Sequence, residues 1–146
     1  MKLVAAVLLT CVVSYPVTVA MSTANEWVKV HTENVGDIVA TYFVAANAIS
    51  PEDERGNRMV ASKSSYNVPL FFPAVGKDVS AVYSINRINC NKGTAKIVAD
   101  TGTNASGEVV YANQVARTHK EVVPSPESGL GHIVSAICAS SNLTTV

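Results

Sequence analysis

Two cysteines, Cys90 and Cys138, limit what this chain can fold into more than any other pair of residues. They are what remains of three once the N-terminus is set aside, because residues 1–20 read as a signal peptide. Lys2 supplies the positive end, Leu3 to Val13 the apolar run, and Tyr15-Pro16 the break. Cleavage is expected after Ala20 or after Ala24, each preceded by small residues. The apolar run is too short to span a bilayer. Cys11 lies inside it, and Leu8-Leu9-Thr10-Cys11 resembles a lipobox. Lipidation at Cys11 is the one route that would hold the mature protein on a membrane; without it, Cys11 leaves with the signal peptide. An exported chain with two cysteines is expected to form one structural disulfide, Cys90–Cys138. A redox pair is the alternative, but the two are too far apart in sequence for a CxxC motif. Closing that loop contributes on the order of 4 kcal/mol in the chain-entropy model.

Cys138 ends the stretch that most needs such a staple. Ser125 reads as an N-cap, Pro126 as a first helical residue, and Glu127 as a first-turn acid. Leu130, Ile133, Val134, Ile137 and Cys138 then recur on one helical face. Gly129 and Gly131 each cost roughly 1 kcal/mol relative to Ala in a helix interior. So short a helix does not hold alone in water. His132 is expected on its exposed side.

The rest reads as strands. Asn25 to His31 is a first strand, with a turn over Asn34 to Gly36, and Asp37 to Ala46 is a second, strongly β-prone run. Ser50 to Asn57 is a polar loop, and Met59 to Val68 a third strand. Pro69 and Pro73 make the following Phe71-Phe72 segment a loop or an edge. Val79 to Cys90, Thr94 to Asp100 and Glu108 to Val115 complete the set, with Asn91-Lys92-Gly93 a hairpin turn. Strands followed by one amphipathic helix imply an α+β fold: an antiparallel sheet covered on one face. Val82, Ser84, Asn86, Ile88 and Cys90 then face the helix, while Tyr83, Ile85 and Arg87 form a mixed outer face that hints at a partner surface.

The chain resembles the surface-adhesin protein E family of Gram-negative bacteria. Carrying the resemblance are Trp27-Val28, Tyr42-Phe43-Val44, Asn47-Ala48-Ile49, and the Ser-rich strand Ser80 to Cys90. Gly107 to Tyr111 and Val122 to Ser128, leading to Ile137-Cys138, complete it. It spans residues 25–141 as one domain. It implies a twisted antiparallel sheet of about six strands, with a C-terminal helix disulfide-tethered to the concave face. It also implies an envelope or secreted protein adhering to host extracellular-matrix or plasma proteins. The location would be periplasm, outer-membrane surface or secreted. A periplasmic structural or accessory protein of the same fold is the alternative.

No convergent catalytic set is legible, so no enzyme is expected. His31, His119 and His132 lack metal-ligand spacing, and no cofactor or metal motif occurs. Glu52-Asp53-Glu54 lacks the alternating ligands of a Ca²⁺ loop and reads as solvated. The 11 basic and 11 acidic side chains cancel, and loss of Lys2 leaves a net of −1. That is not the footprint of a nucleic-acid binder, so no nucleic acid partner is expected. Tyr66, Leu70, Phe71 and Phe72 are the candidate partner-binding residues; the competing reading is that Leu70, Phe71 and Phe72 cap the core. An edge strand pairing between two copies would give a homodimer.

Overall fold

A computed structural model describes residues 26–114 and 120–139. The expected signal peptide, Cys11 and His119 lie outside the described residues. Six strands follow in chain order: β1 (Trp27–Val35), β2 (Ile38–Ile49), β3 (Asn57–Phe72), β4 (Lys77–Asn89), β5 (Thr94–Thr103) and β6 (Val109–Gln114). Each pairs antiparallel with the next, so the sheet is a meander with β1 and β6 at its free edges. Helix α1 (Gly129–Ala139) packs on β1, β2 and β5. This is the expected α+β architecture. No helix among the described residues is long and apolar enough to cross a membrane.

The alternation in β4 decides which face is buried. Asn86 and Ile88 point at α1, and Ile88 joins Val44, Val60, Ala95, Ile133, Val134 and Ile137 in one core. Ile88 and Val60 are fully buried and Ile137 is 2% exposed. Each such aliphatic contributes roughly 1.5–3 kcal/mol by leaving water. Cys90 and Cys138 close the far end of the helix with the expected disulfide, their Cα atoms 5.3 Å apart. Before the helix, Val122 exchanges two backbone hydrogen bonds with Ala95, and Thr94 Oγ1 donates to Glu121 at 2.7 Å. Those bonds return the chain across the sheet to where α1 begins.

The helix start differs from the sequence reading. Ser128, not Ser125, is the N-cap: Gly131 N–H donates to Ser128 Oγ at 3.1 Å. Ser128 Oγ in turn donates to the Ser125 carbonyl at 2.7 Å. Ser125 to Ser128 is therefore a turn, and Glu127 stands outside the helix. A Cβ on Gly131 would collide with that Ser125 carbonyl, and one on Gly129 with the Tyr42 ring. The helix tolerates its two costly glycines because only they let the turn and the sheet come so close.

Strand β3 also runs further than expected. Its register with β4 slips between Ser65 and Leu70, then resumes with Leu70 opposite Val79 and Phe72 opposite Lys77. The hairpin thus extends beyond the last β2–β3 pair, Ala40 with Tyr66. At the irregularity the Asn67 side chain does the work of the ladder: its Oδ1 accepts from Val39 N at 2.7 Å, and its Nδ2 donates to the Asp37 carbonyl at 3.0 Å. Pro69 sits where pairing is already broken, so its missing N–H costs nothing.

Candidate functional site

Helix α1 covers only part of the concave face. The uncovered part lies toward the β3–β4 hairpin, and its floor follows from register. Tyr42, Ser64, Val82, Gly102 and Tyr111 stand side by side on successive strands, with Ser62, Ser84 and Asp100 in the neighbouring row. Tyr111 lies against Gly102 so closely that a Cβ there would collide with its ring. A glycine in a strand interior loses side-chain packing, and the cross-strand aromatic restores it. Phe72 stacks on Tyr111 with centroids 6.1 Å apart and meets Tyr66 at 6.5 Å. Three rings from β3 and β6 thus form a second cluster, separate from the aliphatic core.

The four sequence candidates divide. Tyr66 and Phe72 belong to this cluster. Leu70 is half-buried opposite the fully buried Val79. Phe71 is 62% exposed. The core-cap reading fails for exposed Phe71, while Leu70 and Phe72 lie outside the aliphatic cluster under α1. The hairpin carries them past the last β2–β3 pair, where α1 does not lie over them.

The phenols here stay protonated. Burial, followed by the Asp100 charge, pushes Tyr111 up to about 12. Burial, followed by the Glu33 carboxylate, pushes Tyr42 up to about 12, and burial raises Tyr66. Tyr42 Oη donates to Glu33 Oε2 at 3.2 Å. At the boundary between the covered and open regions, Asn86 Nδ2 donates to Ser62 Oγ at 2.7 Å, both residues buried.

At the helix N-terminus the His31 and His132 rings stack with centroids 3.6 Å apart, and His31 also stacks on Tyr42. His132 is thus half-buried rather than exposed, because the bulge after Lys29 turns His31 toward the helix. No three His, Cys, Asp or Glu side chains among the described residues are grouped to hold a metal ion. A shallow polar depression of about 320 Å³ lies elsewhere, lined by Asp53, Glu54, Arg55, Asn57 and Arg87. Asp53 accepts the backbone N–H groups of Arg55 and Asn57 at 2.8 Å each. The Asn57 side chain holds its carboxyl below the usual range. Asp53 therefore shapes its own loop.

The architecture has counterparts among solved structures. Protein E of Haemophilus influenzae superposes with a TM-score of 0.50 at 13% identity, over 72% of this chain and 82% of that one. Protein E from non-typeable Haemophilus influenzae gives 0.52 at 14% identity, over 81% of this chain and 78% of that one. The chain has a protein E-like fold. No family model matches its sequence, and no curated protein does either. The likeness to protein E is therefore one of backbone architecture. The concave-face chemistry has to be read from this chain's own residues. Tyr111, Tyr42 and the histidine stack were missed in the sequence, where the fifth strand was read to end at Asp100; it runs on to Thr103 and so includes Gly102.

Proposed function

We propose that this chain is an exported, non-catalytic binding module that adheres to host extracellular-matrix or plasma proteins through the open half of its concave face. The observation carrying this reading is the Tyr66–Phe72–Tyr111 cluster, left uncovered by α1 and flanked by exposed Phe71. Rigid aromatic rings with a polar tip, set among serines and a glycine, offer large contact area at low entropic cost. The raised tyrosines remain neutral donors at physiological pH, and aromatic side chains dominate protein interfaces. Export accords with the disulfide, and the fold likeness accords with the family resemblance in the sequence.

The experiment is binding of purified matrix and plasma proteins to the immobilised mature domain, comparing wild type with Phe71→Ala and with Tyr66→Ala/Tyr111→Ala. Phe71→Ala is expected to weaken binding while the melting temperature holds, and the double variant to abolish it. Wild-type failure across the panel would instead favour a periplasmic accessory protein. Binding unchanged in every variant would move the interface off this face.

A further inference from the structure

The convex face carries a different chemistry. Register places Lys29, Phe43, Lys63, Tyr83 and Thr101 in one row across β1 to β5. Lys63 Nζ sits over the Phe43 ring at 5.6 Å and the Tyr83 ring at 5.5 Å. Trp27 meets Tyr83 edge-on at 5.9 Å. Arg87 stands on the same face, four residues along β4 from Tyr83. The two carboxylates in the paired body of the sheet, Glu33 and Asp100, both stand on the concave side. Asp78 lies out on the hairpin extension. Asp53 and Glu54 border Arg87 across the polar depression. Even so, none of Lys29, Lys63 and Arg87 forms an ion pair with a described carboxylate, and Arg87 Nε is buried without a hydrogen-bond acceptor. Lys29 and Lys63 thus stand on this face without an ion-pair partner among the described residues.

We propose that this convex face binds an acidic polysaccharide. Lys29 and Lys63 are two strands apart, which is about 10 Å at the strand spacing of a sheet. No single small anion bridges that gap, whereas a polymer with repeated anionic groups does. Lys63 is held by two rings, so its ammonium is pre-positioned and little side-chain freedom is lost on binding. Phe43 and Tyr83 already have Lys63 over them, which leaves them poor platforms for the base stacking that single-stranded nucleic acid requires. Trp27, Phe43 and Tyr83 are all half-buried, so none projects as a wedge into a bilayer. What remains is a cation-studded aromatic surface suited to sulfated or uronate sugars.

The test is titration of the mature domain with a heparin oligosaccharide at low and high salt, with Lys92→Gln, in the exposed β4–β5 turn, as the control. The expected result is salt-weakened binding that falls about ten-fold or more in Lys29→Gln/Lys63→Gln. Lys63→Arg should keep it, and Lys92→Gln should leave it unchanged. Should the double variant fail to fold, exposed Lys29→Gln alone decides. Three results would overturn the proposal: no binding by wild type, equal losses in Lys92→Gln, or equally tight binding of a thymidine oligonucleotide or of phosphatidylglycerol vesicles. Tyr66→Ala/Tyr111→Ala lies on the opposite face and should not affect heparin binding, so the two readings succeed or fail separately.

Discussion

One concave face, built by the same strands, is closed at one end and open at the other. At the closed end, Val44, Val60 and Ile88 meet Ile133 and Ile137 in a dry aliphatic core. At the open end the same alternation presents Ser64, Tyr66, Ser84 and Tyr111, and α1 does not lie over them. The difference is not that one end lacks strands, since both belong to the same antiparallel sheet. It lies in where a short helix can be held. Cys138 ties its C-terminal end to Cys90, and Gly129 lets its N-terminal end rest on Tyr42. Stability is thereby concentrated in one half, and the other is free to carry chemistry.

Substitutions should therefore divide sharply between the two ends. The largest effect is expected for Cys90→Ser/Cys138→Ser. Opening a loop with a sequence separation of 48 should cost about 4 kcal/mol, read as a lowered urea midpoint. Ile88→Ala, at a fully buried site, should cost about 3 kcal/mol by the same measurement. A loss under about 1 kcal/mol would mean the closed end is not the stabilising core. Ser62→Ala sits between the two ends. It strands the buried Asn86 amide and should cost about 2 kcal/mol, with Ser62→Ala/Asn86→Leu recovering part of the loss. Phe71→Ser, at the open end, should change stability by no more than about 0.5 kcal/mol.

Alkaline pH probes the tyrosines, Tyr42 beneath the helix N-terminus and Tyr111 at the open end. Tyr42 and Tyr111 ionise at about 12 in the fold, above the ordinary phenol value near 10. A raised folded pKa means the native state holds its proton longer, so this stabilisation is complete below about pH 10 and is lost as pH rises toward 12. Chemical denaturation should show the decline beginning above pH 10. Tyr111→Phe should blunt it without moving the midpoint at pH 7, and a decline of unchanged size in Tyr42→Phe/Tyr111→Phe would assign it to other groups.

Legibility in the sequence followed the range of the interactions. The disulfide could be read because two exported cysteines have one partner each. The buried face of β4 could be read because Cys90 has to face the helix, which puts Ile88 and Asn86 on the same side. The helix cap could not: Ser125-Pro126-Glu127 satisfies every local rule for a helix start. What moves the cap to Ser128 is the close approach of the Ser125 carbonyl to Gly131. The continuation of β3 past Pro69 was hidden for a similar reason, since Asn67 bonds to residues about 30 positions away. The Tyr66–Phe72–Tyr111 cluster and the His31–His132 stack are products of register, which no single strand reveals. Tyr66 and Phe72 were found as apolar residues beside prolines; their partner Tyr111 needed the sheet.

The division between a clamped half and an independent open half is tested most directly by amide hydrogen exchange in Cys90→Ser/Cys138→Ser, compared with the oxidised wild type. Peptides covering Gly129–Ala139 are expected to lose their protection, while those covering Tyr66 to Phe72 and Lys77 to Val82 keep most of theirs. Undiminished helix protection without the disulfide, or equal loss at the hairpin, would contradict it.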